Sequence, residues 1–225
     1  KRKKEDFVRA EREFKAAIAL DSGYALAYAG LADLYDTYQN FATTTKEEKM
    51  EFQAKRDMHA IHAYQLNPNH PYVITVKCYL FFIKPDKTHA DIDSAFNLRK
   101  RAYAIAPNSV DVCDPLSVIY GSLGLYQQAI QMRQRCVSLD PTFGNYYAEL
   151  GNLYVTMGEY EKAESALQKA ILLQPEGIAG LQGWTLLKIF MNDVPEAERV
   201  LAGIDRVRRA TNAEIPAVAV RDARV

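Results

Sequence analysis

The sequence lacks an excess of charge of either sign: among its 225 residues, 28 lysines and arginines balance 28 aspartates and glutamates. No global field draws such a chain toward nucleic acid or an anionic membrane surface, so no nucleic-acid partner is expected. It also lacks any apolar run approaching the roughly 18 to 20 residues that a membrane-spanning helix needs, and it shows no secretory leader pattern. No membrane insertion of this segment is expected. Cysteine is scarce. Cys78, Cys113 and Cys136 are an odd set without metal-ligand spacing, which fits a reducing compartment better than a disulfide framework. The expected location is cytoplasmic, or periplasmic if the chain is part of a membrane-bound regulator.

Catalytic and metal-binding patterns are missing as well. His59 and His62 lie three apart on a predicted helix with Asp57 nearby, yet zinc requires further ligands in a closed shell, and an exposed helix face is the simpler reading. Gly121-Ser122-Leu123-Gly124 has neither the lysine nor the preceding strand of a phosphate loop and reads as a helix-ending turn. The carboxylate pairs Asp91 with Asp93 and Glu159 with Glu161 fall in turns or helix starts, where acids favour the helix dipole. No nucleophile, base and orienting partner are brought together by a motif. The expectation is a chain that is not an enzyme and holds no metal and no cofactor.

What the sequence does contain is a repeat. Shifting the stretch from Val110 to Phe143 by one period of 34 residues lays Leu116 on Leu150, Tyr120 on Tyr154, Gly124 on Gly158 and Tyr126 on Tyr160. The same shift pairs Ala129 with Ala163, Leu139 with Leu173 and Pro141 with Pro175. Ala95, Ala129, Ala163 and Ala197 extend the register outward, and Pro107 precedes Pro141 by the same step. Within a period, apolar and small residues recur at helical spacing in two blocks separated by a turn, which predicts a helical hairpin per unit. Gly151 and Ala163 are small where the two helices approach, while Tyr147, Leu150 and Tyr154 supply bulk. Gly124 and Gly158 are placed to end first helices, and Pro68, Pro107, Pro141 and Pro175 to stop second helices or to set the first turn of the next.

These residues resemble the tetratricopeptide repeat family, whose motif runs aromatic, Leu-Gly, Tyr, later Ala, a bulky residue, Ala and Pro. The unit from Gly144 to Gly177 matches nearly throughout; its neighbour from Val110 departs at Cys113, Ser117 and Cys136. Upstream, Ala10, Phe14, Ala17 and Leu20 look like a second helix, and Tyr28, Leu31, Ala32 and Tyr35 like a first one. Two insertions follow. The longer, around Gln39 to Met50, contains the capping-box pattern Thr45-Lys46-Glu47-Glu48, which predicts a long second helix to about Leu66; the shorter spans Lys84 to Lys87. From Ile178 the match weakens, with Trp184 at the leucine position and Lys188 at the tyrosine position, as in a terminal repeat.

The resemblance implies an all-α, right-handed superhelical solenoid of about five to six hairpins over residues 1–210, with first helices starting near Ala25, Pro71, Val110, Gly144 and Ile178. Residues 211–225 read as an extended or disordered tail. The chain opens on Lys1 within a helical pattern, so a fragment of a longer protein is expected. The wording around Ala16 to Asp21 and Tyr24 to Asp33 is similar to arrays appended to bacterial signalling proteins.

In such an array the first helices line a concave surface that receives a segment of another protein, and the expected function is that of a non-catalytic binding scaffold. Register places Asp33, Asp36, Tyr72, Tyr79, Phe82, Asp111, Asp114, Val118, Asn145, Asn152 and Thr156 on it. The four acids favour a basic partner segment. Some family members grip a terminal carboxylate with lysines and asparagines; here Asn152 alone matches, and Ala148 stands where a lysine would be. The other reading is a sensory module that binds a small molecule in the groove or the insertions and reports it to an upstream domain.

Overall fold

Helix boundaries in this chain are written by local chemistry. In the computed structural model, which describes residues 4–41, 45–82, 86 and 88–212, α1 spans Lys4–Leu20, α2 Ala25–Phe41 and α3 Lys46–Leu66. The side chain of Thr45 accepts from the backbone N–H of Glu48, whose carboxylate accepts from the N–H of Thr45 at 2.9 Å, so the predicted capping box starts α3. The helix then runs to Leu66 as expected. A short α4 (Pro71–Lys77) passes through a turn at Cys78 into α5 (Tyr79–Phe82), and Thr88 with Asp91 forms a second capping box at the start of α6, His89–Ile105.

The remaining helices are α7 (Val110–Ser122), α8 (Tyr126–Leu139), α9 (Gly144–Thr156), α10 (Tyr160–Leu173), α11 (Ile178–Phe190) and α12 (Val194–Asn212). The described residues are all helix, turn or irregular, with no strand. First helices start at Ala25, Pro71, Val110, Gly144 and Ile178, the five positions that periodicity selects. Lys1 to Lys3, most of the shorter insertion and residues 213–225 of the expected tail lie outside the described residues.

Both kinds of turn recur with the period. At the ends of second helices, the N–H groups of Asn67, Ala106, Asp140 and Gln174 each close on the carbonyl four residues back at 2.9 Å. A proline follows every one, with no N–H to continue the ladder. First helices α7, α9 and α11 end on Gly124, Gly158 and Asn192, with φ of 73°, 74° and 59°. The left-handed turn lets Leu125, Glu159 and Asp193 reach back to the carbonyls of Tyr120, Tyr154 and Lys188 at 2.9, 2.9 and 2.8 Å. Asn192 is the non-glycine residue best suited to that conformation. Gly158→Ala forces a β-carbon into it and is expected to cost about 1 kcal/mol, read as a lower urea midpoint at unchanged slope.

The chain divides into two compact units, Lys1–Leu116 and Ser117–Val225, with the division inside α7. In the first, α2 packs against α1, α3 and α4, and α4 against α6. Small residues line these contacts, with Ala25, Ala29, Ala32, Ala60 and Ala63 buried together with Val73 and Val76. Phe14 of α1 lies over Gly30, where a β-carbon would come within 2.4 Å of the ring. In the second unit α9 packs against α8, α10 and α11 around Leu150, Tyr154, Leu167 and Leu187. The first helices α2, α4, α9 and α11 are each held by their own second helix, and α2 and α9 also by the next first helix. That arrangement leaves one face of each first helix for other work.

Candidate binding face

In the first unit that face gathers residues from three hairpins. Asp33 projects from α2 and accepts two phenolic hydrogen bonds, from Tyr72 Oη of α4 at 3.2 Å and from Tyr79 Oη of α5 at 2.7 Å. Burial, followed by the charge of Asp33, pushes both phenols above their ordinary pKa, so they stay protonated and remain donors. Asp111 and Asp114 come from the first turns of α7, and Asp111 is the most exposed of the three acids. Burial of its inner side, then the charges of Asp33 and Asp114, raises the Asp111 carboxyl above the usual range. Pro115 lies inside α7 and has no N–H to give to the Asp111 carbonyl four residues back.

Asp36 has a different setting from the one its register suggests. It accepts from Arg56 Nη1 at 3.1 Å and from Gln39 Nε2 at 2.9 Å, so it serves the contact between α2 and α3. Burial raises its carboxyl and Arg56 opposes the rise. Phe82 ends α5, and its side chain lies outside the described residues.

In the second unit, Val118 is 48% exposed and Thr156 is exposed at the end of α9, its hydroxyl donating to the Asn152 carbonyl at 3.0 Å. Asn145 is half-buried. Asn152 Oδ1 is buried beneath Gly183 of α11, where a β-carbon would stand 2.4 Å away. Its amide therefore packs on α11 before it can meet a partner.

Three buried arginines escape a reading by register of apolar positions. Arg56 is 1% exposed and pairs with Asp36 and Asp57. Arg133, also 1% exposed, pairs with Glu149 and lies 5.7 Å from the centre of the Tyr146 ring. Arg99 is 6% exposed, and its Nε and Nη1 have no hydrogen-bond partner among the described residues. The signal was present: Arg99, Arg133 and Leu167 are one period apart, so two charges occupy a position that is leucine in the best-formed unit.

His59, His62 and the cysteines have packing roles. His59 stacks on Tyr35 at 5.8 Å and His62 meets Tyr28 edge-on at 4.4 Å. Burial, then Lys15, lowers the pKa of His59. Among the described residues no three of His, Cys, Asp and Glu converge to hold a metal ion. All three cysteines are buried and none is in a disulfide, and burial pushes the Cys78 thiol up to about 11, away from a reactive thiolate. No described helix is long and apolar enough to cross a membrane.

Comparison with known proteins agrees with the repeat fold. A family model described as tetratricopeptide repeat matches residues 111–143 and 144–176. No curated protein sequence matches the chain. Among solved structures, MamA from Desulfovibrio magneticus RS-1 is 17% identical, covers 80% of this chain and 96% of its own, and has a TM-score of 0.59. PilF of Pseudomonas aeruginosa is 15% identical with coverages of 93% and 90% and a TM-score of 0.62. YrrB, described as a TPR protein with an unusual peptide-binding site, is 18% identical with coverages of 79% and 83% and a TM-score of 0.51. At these identities the likeness concerns the fold.

Proposed function

The chain is a tetratricopeptide-repeat protein, and from that premise we propose that it is a non-catalytic module of a larger protein that holds a segment of another polypeptide along its first helices. The observation that carries this reading is the division of labour within each hairpin. Second helices and the inner faces of first helices are spent on packing, with Ala29, Ala32, Leu150 and Tyr154 buried. The remaining first-helix face carries carboxylates, phenols and amides, side chains that hold a peptide backbone and its substituents in place. The peptide-binding site named for YrrB supports the same use of the fold in a relative of similar architecture.

Site-specific photocrosslinking tests it. A benzoylphenylalanine placed at Val118 or Thr156 on the first-helix face is expected to trap a polypeptide partner in extracts of the source cells. The same group at Lys169, exposed on α10, is expected to trap little. Crosslinks confined to Lys169, or to none of the three positions, would sink the proposal.

A further inference from the structure

We propose that the first-helix face of the second unit receives an uncharged, apolar stretch of the bound segment, anchored on Leu186, Ile189 and Phe190 of α11. This inference rests on the first helices being the receiving face.

The three side chains are 43%, 53% and 56% exposed. Residues three and four apart on a helix are neighbours on its surface, so this spacing lays them side by side on α11. Phe190 also stacks on Tyr160 at the start of α10, with ring centres 6.2 Å apart, which carries the apolar surface toward the preceding hairpin. Val118 of α7 and Leu186 of α11 stand two periods apart and so hold the same register. Val118 is 48% exposed although α9 follows it, with Leu153 of α9 only 3.9 Å from where a β-carbon of Gly121 would stand. Exposure at this register therefore belongs to the face itself.

Charge decides the occupant. From Ser117 onward, the first helices α7, α9 and α11 carry two charged residues, Glu149 and Lys188. Both turn to second helices, since Glu149 pairs with Arg133 of α8, and Lys188 donates to Glu164 of α10 at 2.7 Å. The hydroxyls of these helices are committed as well. Ser117 donates to the Ala129 carbonyl of α8 at 2.9 Å, and Ser122, Thr156 and Thr185 donate to carbonyls of their own helices at 2.9, 3.0 and 2.9 Å. A lysine or glutamate laid on this face gives up water and gains no counter-ion. A leucine or phenylalanine gains by leaving water, and so do Leu186, Ile189 and Phe190 beneath it.

The test is isothermal titration calorimetry of the whole chain with matched serine–alanine peptides, acetylated and amidated, that carry leucine, lysine or glutamate at the same positions. The leucine peptide is expected to bind at least about tenfold tighter than either charged one, with a negative heat-capacity change and an affinity that holds as salt is added. Leu186→Gln with Ile189→Gln is expected to lose about tenfold for leucine at an unaltered thermal midpoint. Leu186→Glu with Ile189→Glu is expected to put lysine ahead of leucine. Sedimentation equilibrium at the same concentrations is expected to show a monomer, and a dimer that the glutamine pair dissociates would assign the face to a second copy and overturn the proposal. A charged peptide bound as tightly as leucine, no binding of the leucine peptide, or an undiminished leucine affinity in the glutamine pair overturns it too. The crosslinking from Val118 and Thr156 judges the receiving face separately, because it traps a partner of any chemistry.

Discussion

Replacing Arg56 with methionine is expected to lower the free energy of unfolding by about 3–5 kcal/mol, the cost of removing one partner from a buried ion pair. Methionine keeps much of the stem that fills the space between α2 and α3, so packing changes little. What disappears is the guanidinium that donates to Asp36 at 3.1 Å and, from Nε, to Asp57 at 2.8 Å. Asp57 reaches solvent, with a side chain 35% exposed, whereas that of Asp36 is only 14% exposed and is left with a charge that Asp33 opposes. Burial already raises the Asp36 carboxyl with Arg56 present, and without it the rise grows. For an acid whose folded pKa lies above its unfolded one, ionisation costs stability above the folded pKa. The deficit of the variant is therefore expected to shrink as the pH is lowered through that value. Adding Asp36→Leu removes the stranded charge and is expected to recover most of the loss. Urea unfolding followed by circular dichroism measures each case. A deficit below about 1 kcal/mol at neutral pH, the range of an exposed pair, would show that the pair is not a buried one.

Gly151→Leu is expected to cost about 1–3 kcal/mol through overpacking, and Gly151→Ala a substantial part of that. A β-carbon at Gly151 comes within 2.5 Å of Leu167 Cγ and 2.8 Å of its Cδ2, with the Ala163 carbonyl oxygen at 3.4 Å. Because Cγ is the branch point of a buried side chain, no rotation of its far end makes room. The neighbouring unit solves the same problem differently. Ser117 stands at the glycine position and donates to the Ala129 carbonyl at 2.9 Å, and Arg133 replaces the leucine. Combining Gly151→Ala with Leu167→Ala is accordingly expected to cost less than the sum of the two changes, since the second vacates the space that the first occupies. Equal urea midpoints for Gly151→Leu and the parent would mean that α9 and α10 are not in this register.

Much of this fold was legible without coordinates, and the reason is that its information is local and repeated. A helix start at Gly144 or Ile178, the capping box at Thr45, the left-handed turns at Gly124 and Gly158, and the prolines after each second helix all act within a few residues of themselves. One period of 34 residues then repeats them, so each is read several times over. Even the close approach at Gly151 follows from size alone, because only a residue without a β-carbon fits at that helix contact. The same periodicity placed Asp33, Tyr72 and Tyr79 on one face, although not the hydrogen bonds between them.

The pairing of side chains across hairpins was left to tertiary structure, since it depends on which rotamer brings two charges from different repeats together. Asp33 and Asp36 look alike in sequence, three residues apart on one helix. Yet Asp33 turns to the phenols of the next hairpin and Asp36 to the Arg56 of its own. Asn152, matched by register to a peptide-holding position, carries an amide oxygen buried under Gly183, because the next first helix packs there. The arginines show the limit most clearly. A charged residue at a core position reads as a breach of the apolar pattern until the fold supplies its partner, Asp36 for Arg56 and Glu149 for Arg133. Periodicity by itself determined the hairpins and where their first helices start, since helix-forming forces act between near neighbours. Which polar groups meet which partners was decided only where distant segments meet, because a hydrogen bond depends on distances and angles that spacing along the chain does not contain.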